Sequence, residues 1–203
     1  MLKNPSIRNY GLPKRVLKLA EVRHEWLSNS AIQGIILDLD NTIISEDDRY
    51  FSPGAIQWIE QAKLLGFQFV LLSNGKRRHR ARNWAEKLEL PLINPAKKPL
   101  PFSFKKALKQ MKLEARQVVV IGDSLHTDVI GAWWIGCPWI QVASLPHPPR
   151  WWERLVGRWV QIPYPAHEKR RKLGSPVVST RGGKATRAVL TAVLMSVMMR
   201  VDR

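Results

Sequence analysis

The sequence predicts an α/β protein built on a mainly parallel sheet with helices packed against it. Two observations carry this. Short apolar runs of strand length (34–37, 67–72, 90–93, 118–121 and 139–142) alternate with segments whose apolar residues keep helical spacing. Three of these runs also end in small or acidic polar residues: Asp38-Leu39-Asp40, Ser73-Asn74-Gly75 and Gly122-Asp123. Open α/β sheets bind their ligands at such carboxyl strand ends.

Taken in order, residues 1–30 read as a basic N-terminal arm in which Val16, Leu17, Leu19, Ala20, Trp26 and Leu27 form a short helix on the domain. Gly34-Ile35-Ile36-Leu37 is a buried strand. Asp38 and Asp40 follow it at i, i+2, a spacing that puts two carboxylates on one side of a strand. Crowded carboxylates need a cation or a shared proton, so the pair points to a metal site. The loop to Phe51 carries Glu46, Asp47 and Asp48 and reads as solvated. Ser52 and Pro53 have the chemistry of an N-cap and a first helical position. Ala55, Ile56, Ile59, Ala62 and Leu65 form the apolar face of that helix, which Gly66 ends.

The strand at 67–72 leads through Ser73-Asn74-Gly75, a candidate phosphate loop, into a basic helix over 76–88. Ala81, Trp84, Ala85 and Leu88 are its apolar side. A third strand at 90–93 reaches Lys98-Pro99, and Phe104, Ala107, Leu108 and Met111 mark the next helix. The strand at 118–121 ends in Gly122-Asp123, with Asp128 shortly after. A helix over 129–135 closes at Gly136, and 139–142 is the last strand. Trp151, Trp152, Leu155, Val156 and Trp159 fall at helical spacing among Arg150, Arg154 and Arg158. Such a helix either caps the domain or lies at a membrane interface. Residues 166–203 form a basic, disordered tail with a weak terminal helix, leaving 31–165 as the domain. No internal repeat is visible.

Composition narrows the class. The 203 residues carry a net charge of +17 with a pI near 10.6. Residues 166–203 alone hold nine basic against two acidic residues. This balance attracts polyanions such as anionic lipid, nucleic acid or phosphorylated ligands. Cys137 is the single cysteine, which excludes an intrachain disulfide framework. The N-terminus lacks the apolar core of a signal peptide, and no run approaches the ~20 apolar residues of a membrane span. A cytoplasmic protein, either soluble or peripheral at a membrane, is expected.

Asp38-x-Asp40-x-Thr42, Ser73, Lys98-Pro99 and Gly122-Asp123 with Asp128 occur in the order of the four motifs of the haloacid dehalogenase (HAD) superfamily of phosphohydrolases, which this chain resembles. Within that superfamily GIILDLDNTI, LLSNGKRR, PAKKPL and GDSLHTDVIGAWWIG resemble the YqeG-type IIIA phosphatases, relatives of phosphatidylglycerophosphate phosphatases of phospholipid biosynthesis. Gly75 and Ser124 depart from that pattern, where Asn and Gln or Arg are expected, and Trp133-Trp134 replaces a more polar pair. The resemblance implies a Rossmann-like three-layer sandwich and a Mg²⁺-dependent phosphomonoesterase working through an aspartyl-phosphate. It makes Asp38 the nucleophile and Asp40 the general acid and base. Asp38, Asp123 and the Asp40 carbonyl become the metal ligands, supported by Asp128. Thr42, Ser73, Asn74 and Lys98 hold the phosphoryl group, with Lys98 offsetting charge.

The superfamily inserts its cap domain between the first and second motifs or between the second and third. Neither gap has room here, so an open site without a cap is expected, suited to a phosphate on a large carrier. A lipid phosphate such as phosphatidylglycerophosphate leads. A nucleic-acid end, a phosphoprotein, or an RNA- or ribosome-binding role on the same fold are the alternatives.

Overall fold

The structure is a computed structural model that describes residues 11–148 and 153–165. The predicted tail at 166–203, residues 1–10, and Arg150, Trp151 and Trp152 lie outside the described residues. Strands β1 (Arg15–Val16), β2 (Gly34–Asp38), β3 (Gln68–Leu72), β4 (Leu92–Ile93), β5 (Val118–Gly122), β6 (Trp139–Ser144) and β7 (Ile162–Pro163) pair in parallel throughout. Their order is β1-β6-β5-β2-β3-β4, with β7 also on β6. The helices are α1 (His24–Asn29), α2 (Ala55–Leu64), α3 (Arg78–Leu88), α4 (Pro101–Met111), α5 (Ile130–Ile135) and α6 (Glu153–Val160). This is the predicted α/β class, a parallel sheet with helices on both faces.

The central strands are apolar because both of their faces are covered. On one face Ile36, Val70, Leu72, Val118 and Val120 meet Phe104, Ala107 and Met111 of α4 and Ala132 of α5. On the other, Trp58 of α2 sets its ring edge-on to Phe69 at 6.3 Å and stacks with His24 of α1 at 5.0 Å. Cys137 is buried in the first of these cores, and burial pushes its thiol up to about 12, so it is an inert packing residue.

Helices α4 and α5 approach closely because Gly131 offers no side chain. A Cβ there would lie 2.3 Å from the fully buried Phe104 ring. Gly131→Ala is therefore expected to cost about 1–3 kcal/mol by overpacking, despite alanine's better helix propensity. Urea unfolding of the two proteins measures this. Gly66 and Gly136 end their helices with φ of 87° and 78°, as their places in the sequence predict.

Three elements differ from expectation. Val16 belongs to an edge strand rather than a helix, and among the described residues of the N-terminal stretch Leu19–Glu21 and His24–Asn29 are helical. Ser52 does not cap α2: Gly54 precedes the helix with φ 75°, and Ser52 contributes only its carbonyl, to the Ala55 N–H. The third strand shrinks to Leu92–Ile93 because Leu90 instead closes α3, its N–H donating to the Ala85 carbonyl.

Candidate active site

The carboxyl ends of β3, β2 and β5 lie side by side, with Asp38 paired to Leu72 and Leu37 to Ile121. The strand order turns at β2, between the chain's earlier and later halves, so a crevice forms there. It holds a cavity of about 460 Å³ lined by Asp38, Asp40, Lys98, Asp123 and Asp128. Lys76, Arg77 and Arg80 line it as well. Between Asp40 and Ser73 the chain builds only a loop, α2 and β3, and between Ser73 and Lys98 only α3 and β4. No cap domain covers the mouth among the described residues.

Asp38, Asp123 and Asp128 are buried, with ligand oxygens all within 4.8 Å of one another. Burial raises the Asp38 carboxyl well above the carboxylate range, and the charges of Asp128, Asp123 and Asp40 add to it against the pull of Lys98. Burial and the Asp128 charge push Asp123 up to about 7. Three hard oxygen donors with excess negative charge are the donor set that a Mg²⁺-like cation favours. The Asp40 carboxylate is not in this cluster.

Lys98 is the cluster's cation. Its Nζ bonds Asp38 Oδ1 and lies 2.7 Å from Asp128 Oδ1. Burial alone would lower its pKa, but the charges of Asp128 and Asp38 outweigh that and hold it above the ordinary lysine value. Thr42 Oγ1 donates to Asp38 Oδ2 at 2.9 Å, so both Asp38 oxygens are oriented. Asp128 Oδ2 accepts from the Ser124 N–H and from Thr127 Oγ1.

Asn74 corrects one expectation. Rather than facing a phosphoryl group, its Nδ2 donates to the Lys98 carbonyl (3.0 Å) and its Oδ1 accepts the Lys98 N–H (2.8 Å). It clamps the lysine's backbone. Thr42 likewise spends its hydroxyl on Asp38. Ser73 Oγ donates to Asp40 Oδ2 at 2.7 Å and accepts the Gly75 N–H at 3.0 Å. Space is short at Gly75, where a Cβ would lie 2.9 Å from Asp40 Oδ2.

Three further contributors escaped sequence reasoning. Arg80 bonds Asp40 Oδ1, Asp48 Oδ1 (2.8 Å) and the Ser45 carbonyl (2.7 Å). With Trp84 Nε1 on Asp48 and Arg77 on the Glu46 carbonyl, the acidic loop is docked on α3 rather than solvated. Gln161, from the turn before β7, donates to Asp123 Oδ2 at 3.1 Å, and Gln141 to the Asp123 carbonyl at 2.9 Å. Arg80 was one unmarked member of a basic run, and the glutamines carry no local signal at all.

Comparison with known proteins assigns the family. Residues 38–136 match the family described as haloacid dehalogenase-like hydrolase. The chain is 36% identical over 126 residues to the probable phosphatase YqeG of Bacillus subtilis, covering 62% of this chain and 73% of that protein. It is 29% identical over 91 residues to a glyceraldehyde 3-phosphate phosphatase of Pyrococcus abyssi, 39% of this chain but only 37% of that one. A solved HAD phosphatase from Thermococcus onnurineus superposes with a TM-score of 0.41 at 20% identity over half of each chain. With the first of these likenesses spanning most of both proteins, the chain belongs to the haloacid dehalogenase-like hydrolases and stands with the YqeG-type phosphatases among them.

Proposed function

We propose that the protein hydrolyses phosphate monoesters carried on a large, membrane-borne substrate, with phosphatidylglycerophosphate-like lipid phosphates as the leading class. The observation that carries the hydrolytic reading is the buried Asp38–Asp123–Asp128 cluster oriented by Lys98 at an open crevice. Asp38 and Asp123, with the main-chain carbonyl of Asp40 and support from Asp128, would hold Mg²⁺. When bound, the ion neutralises phosphoryl charge that otherwise repels an anionic nucleophile.

The chain's own residues divide the remaining work. An Asp38 carboxylate oxygen attacks phosphorus, forming an acyl phosphate as the ester P–O bond breaks. Asp40 gives its proton to the departing oxygen, then takes one from the water that attacks the acyl phosphate. Inorganic phosphate leaves and Asp38 is restored. Ser73 and Arg80 aim the Asp40 carboxyl at the leaving oxygen, while Lys98 offsets charge on the intermediate. The open mouth and the basic surface support a bulky, anionic carrier.

Phosphate release should be screened across phosphatidylglycerophosphate, phosphatidate, nucleotides and phosphopeptides, with Mg²⁺ or with EDTA. The reading predicts Mg²⁺-dependent release that is fastest on a lipid phosphate. Faster turnover of nucleotides or phosphopeptides would displace the lipid assignment. Turnover undiminished by EDTA would displace the metal. Gln161 orients Asp123, so Gln161→Ala is expected to raise the Mg²⁺ concentration for half-maximal rate about 10–100-fold, leaving the saturated rate nearly unchanged.

A further inference from the structure

The outer surface of the α4–α5 layer, beside the mouth, is not accounted for by the chemistry of the site. Phe102, Lys105 and Lys106 fall at i, i+3, i+4 on the solvent side of α4; Ile130, Trp133 and Trp134 repeat that spacing on α5. Phe102 is 74% exposed, Trp133 60% and Trp134 56%, far beyond what a folded monomer leaves in water by chance at one place. The Gly131–Phe104 contact holds the two helices side by side on one sheet face, so these residues share one surface.

From this arrangement we infer that the α4–α5 face is the surface on which the protein docks to an anionic lipid bilayer, bringing its open site to the membrane. The inference rests on the membrane-borne substrate proposed above. Charge selects the occupant. Lys97 to Leu113 contains six lysines and no acidic residue, and Val129 to Ser144 contains no charged side chain. Bulky exposed rings with lysines along the α4 side match a bilayer interface, where indoles sit at headgroup level and lysines meet anionic lipid. A twofold contact between two copies would set those lysines against each other. Ile130 adds apolar area that a bilayer buries and base stacking does not use, which favours the bilayer over a nucleic acid stacked on the three rings.

The position is also suited to substrate delivery. Lys98 lines the cavity, four residues before Phe102 along the chain. His126 and Thr127 line the cavity just before Ile130. A headgroup leaving a bilayer seated on this face would travel a short way to Asp38.

The test uses the full-length protein in flotation assays with phosphatidylglycerol/phosphatidylcholine vesicles and with phosphatidylcholine alone. Turnover of p-nitrophenyl phosphate, a water-soluble monoester, reads the site separately. Expected is binding to anionic vesicles that weakens on the order of tenfold in Trp133→Ser/Trp134→Ser, with p-nitrophenyl phosphate turnover unchanged. Lys105→Glu/Lys106→Glu, confined to the solvent side of α4, should weaken it comparably and guards against a folding defect in the first variant. Vesicle binding equal to wild type in both variants would overturn the docking face. So would a dimer that the tryptophan substitutions dissociate, or RNA retention lost in their place. Absent p-nitrophenyl phosphate turnover with tryptophan-dependent vesicle binding would instead overturn the hydrolase reading while leaving the docking face standing.

Discussion

Asp38→Asn should reduce phosphate release by about 10⁴-fold or more on every substrate, because it removes the attacking oxygen rather than a contact that assists it. The fold should survive. Burial and the neighbouring carboxylates raise the Asp38 carboxyl, so a neutral amide of the same shape relieves charge there. Equal or higher thermal stability in metal-free buffer, alongside lost turnover, separates a chemical defect from unfolding. Turnover retained within tenfold would remove Asp38 from the centre of the mechanism.

Lys98→Met should be damaging in both respects. The ammonium is 3% exposed and touches two carboxylates, so its loss leaves Asp38, Asp123 and Asp128 buried without a cation. Breaking a buried pair in this way costs about 3–5 kcal/mol, and loss of a charge-stabilising donor lowers the rate about 10²–10³-fold. The stability loss should depend on pH. Asp123, pushed up to about 7, binds a proton more readily in the folded chain than in the unfolded one. Its protonation therefore favours folding at acid pH, and that contribution is lost as pH rises through about 7. In EDTA, urea unfolding should show a deficit for Lys98→Met that is smallest near pH 5 and grows toward pH 8. Mg²⁺ should return part of it. A deficit independent of pH and of Mg²⁺ would mean that Lys98 packs rather than compensates.

Much of this site was legible before any coordinates, and the reason is local. Asp38, Ser73, Lys98 and Asp123 each follow an apolar run or a turn whose chemistry marks an element end. Parallel pairing of β2, β3 and β5 then brings three of those ends together. Lys98 arrives with them because Asn74 clamps its backbone from the end of β3.

What escaped depends on contacts between residues far apart in sequence. Arg15–Val16 is a strand because β6 offers it an edge, and two residues carry no periodicity. Arg80 and Gln161 differ from neighbouring arginines and glutamines only in what the fold sets opposite them. The acidic loop read as solvated because its charge was visible and its partners Arg77, Arg80 and Trp84 lay some thirty residues on. Ser52 had the right chemistry for a cap, but Gly54 took up the left-handed turn, so α2 starts two residues later than Ser52 and Pro53 suggest.

In the proposed reaction Asp38 carries the phosphoryl group between substrate and water. Rapid acid quench of the full-length protein during Mg²⁺-supported turnover, followed by mass mapping of its peptides, tests this directly. A transient phosphoryl adduct is expected on the peptide containing Asp38, absent in Asp38→Asn and removed by hydroxylamine as acyl phosphates are. Sustained turnover with no adduct on that peptide, or with the adduct on another residue, would contradict it.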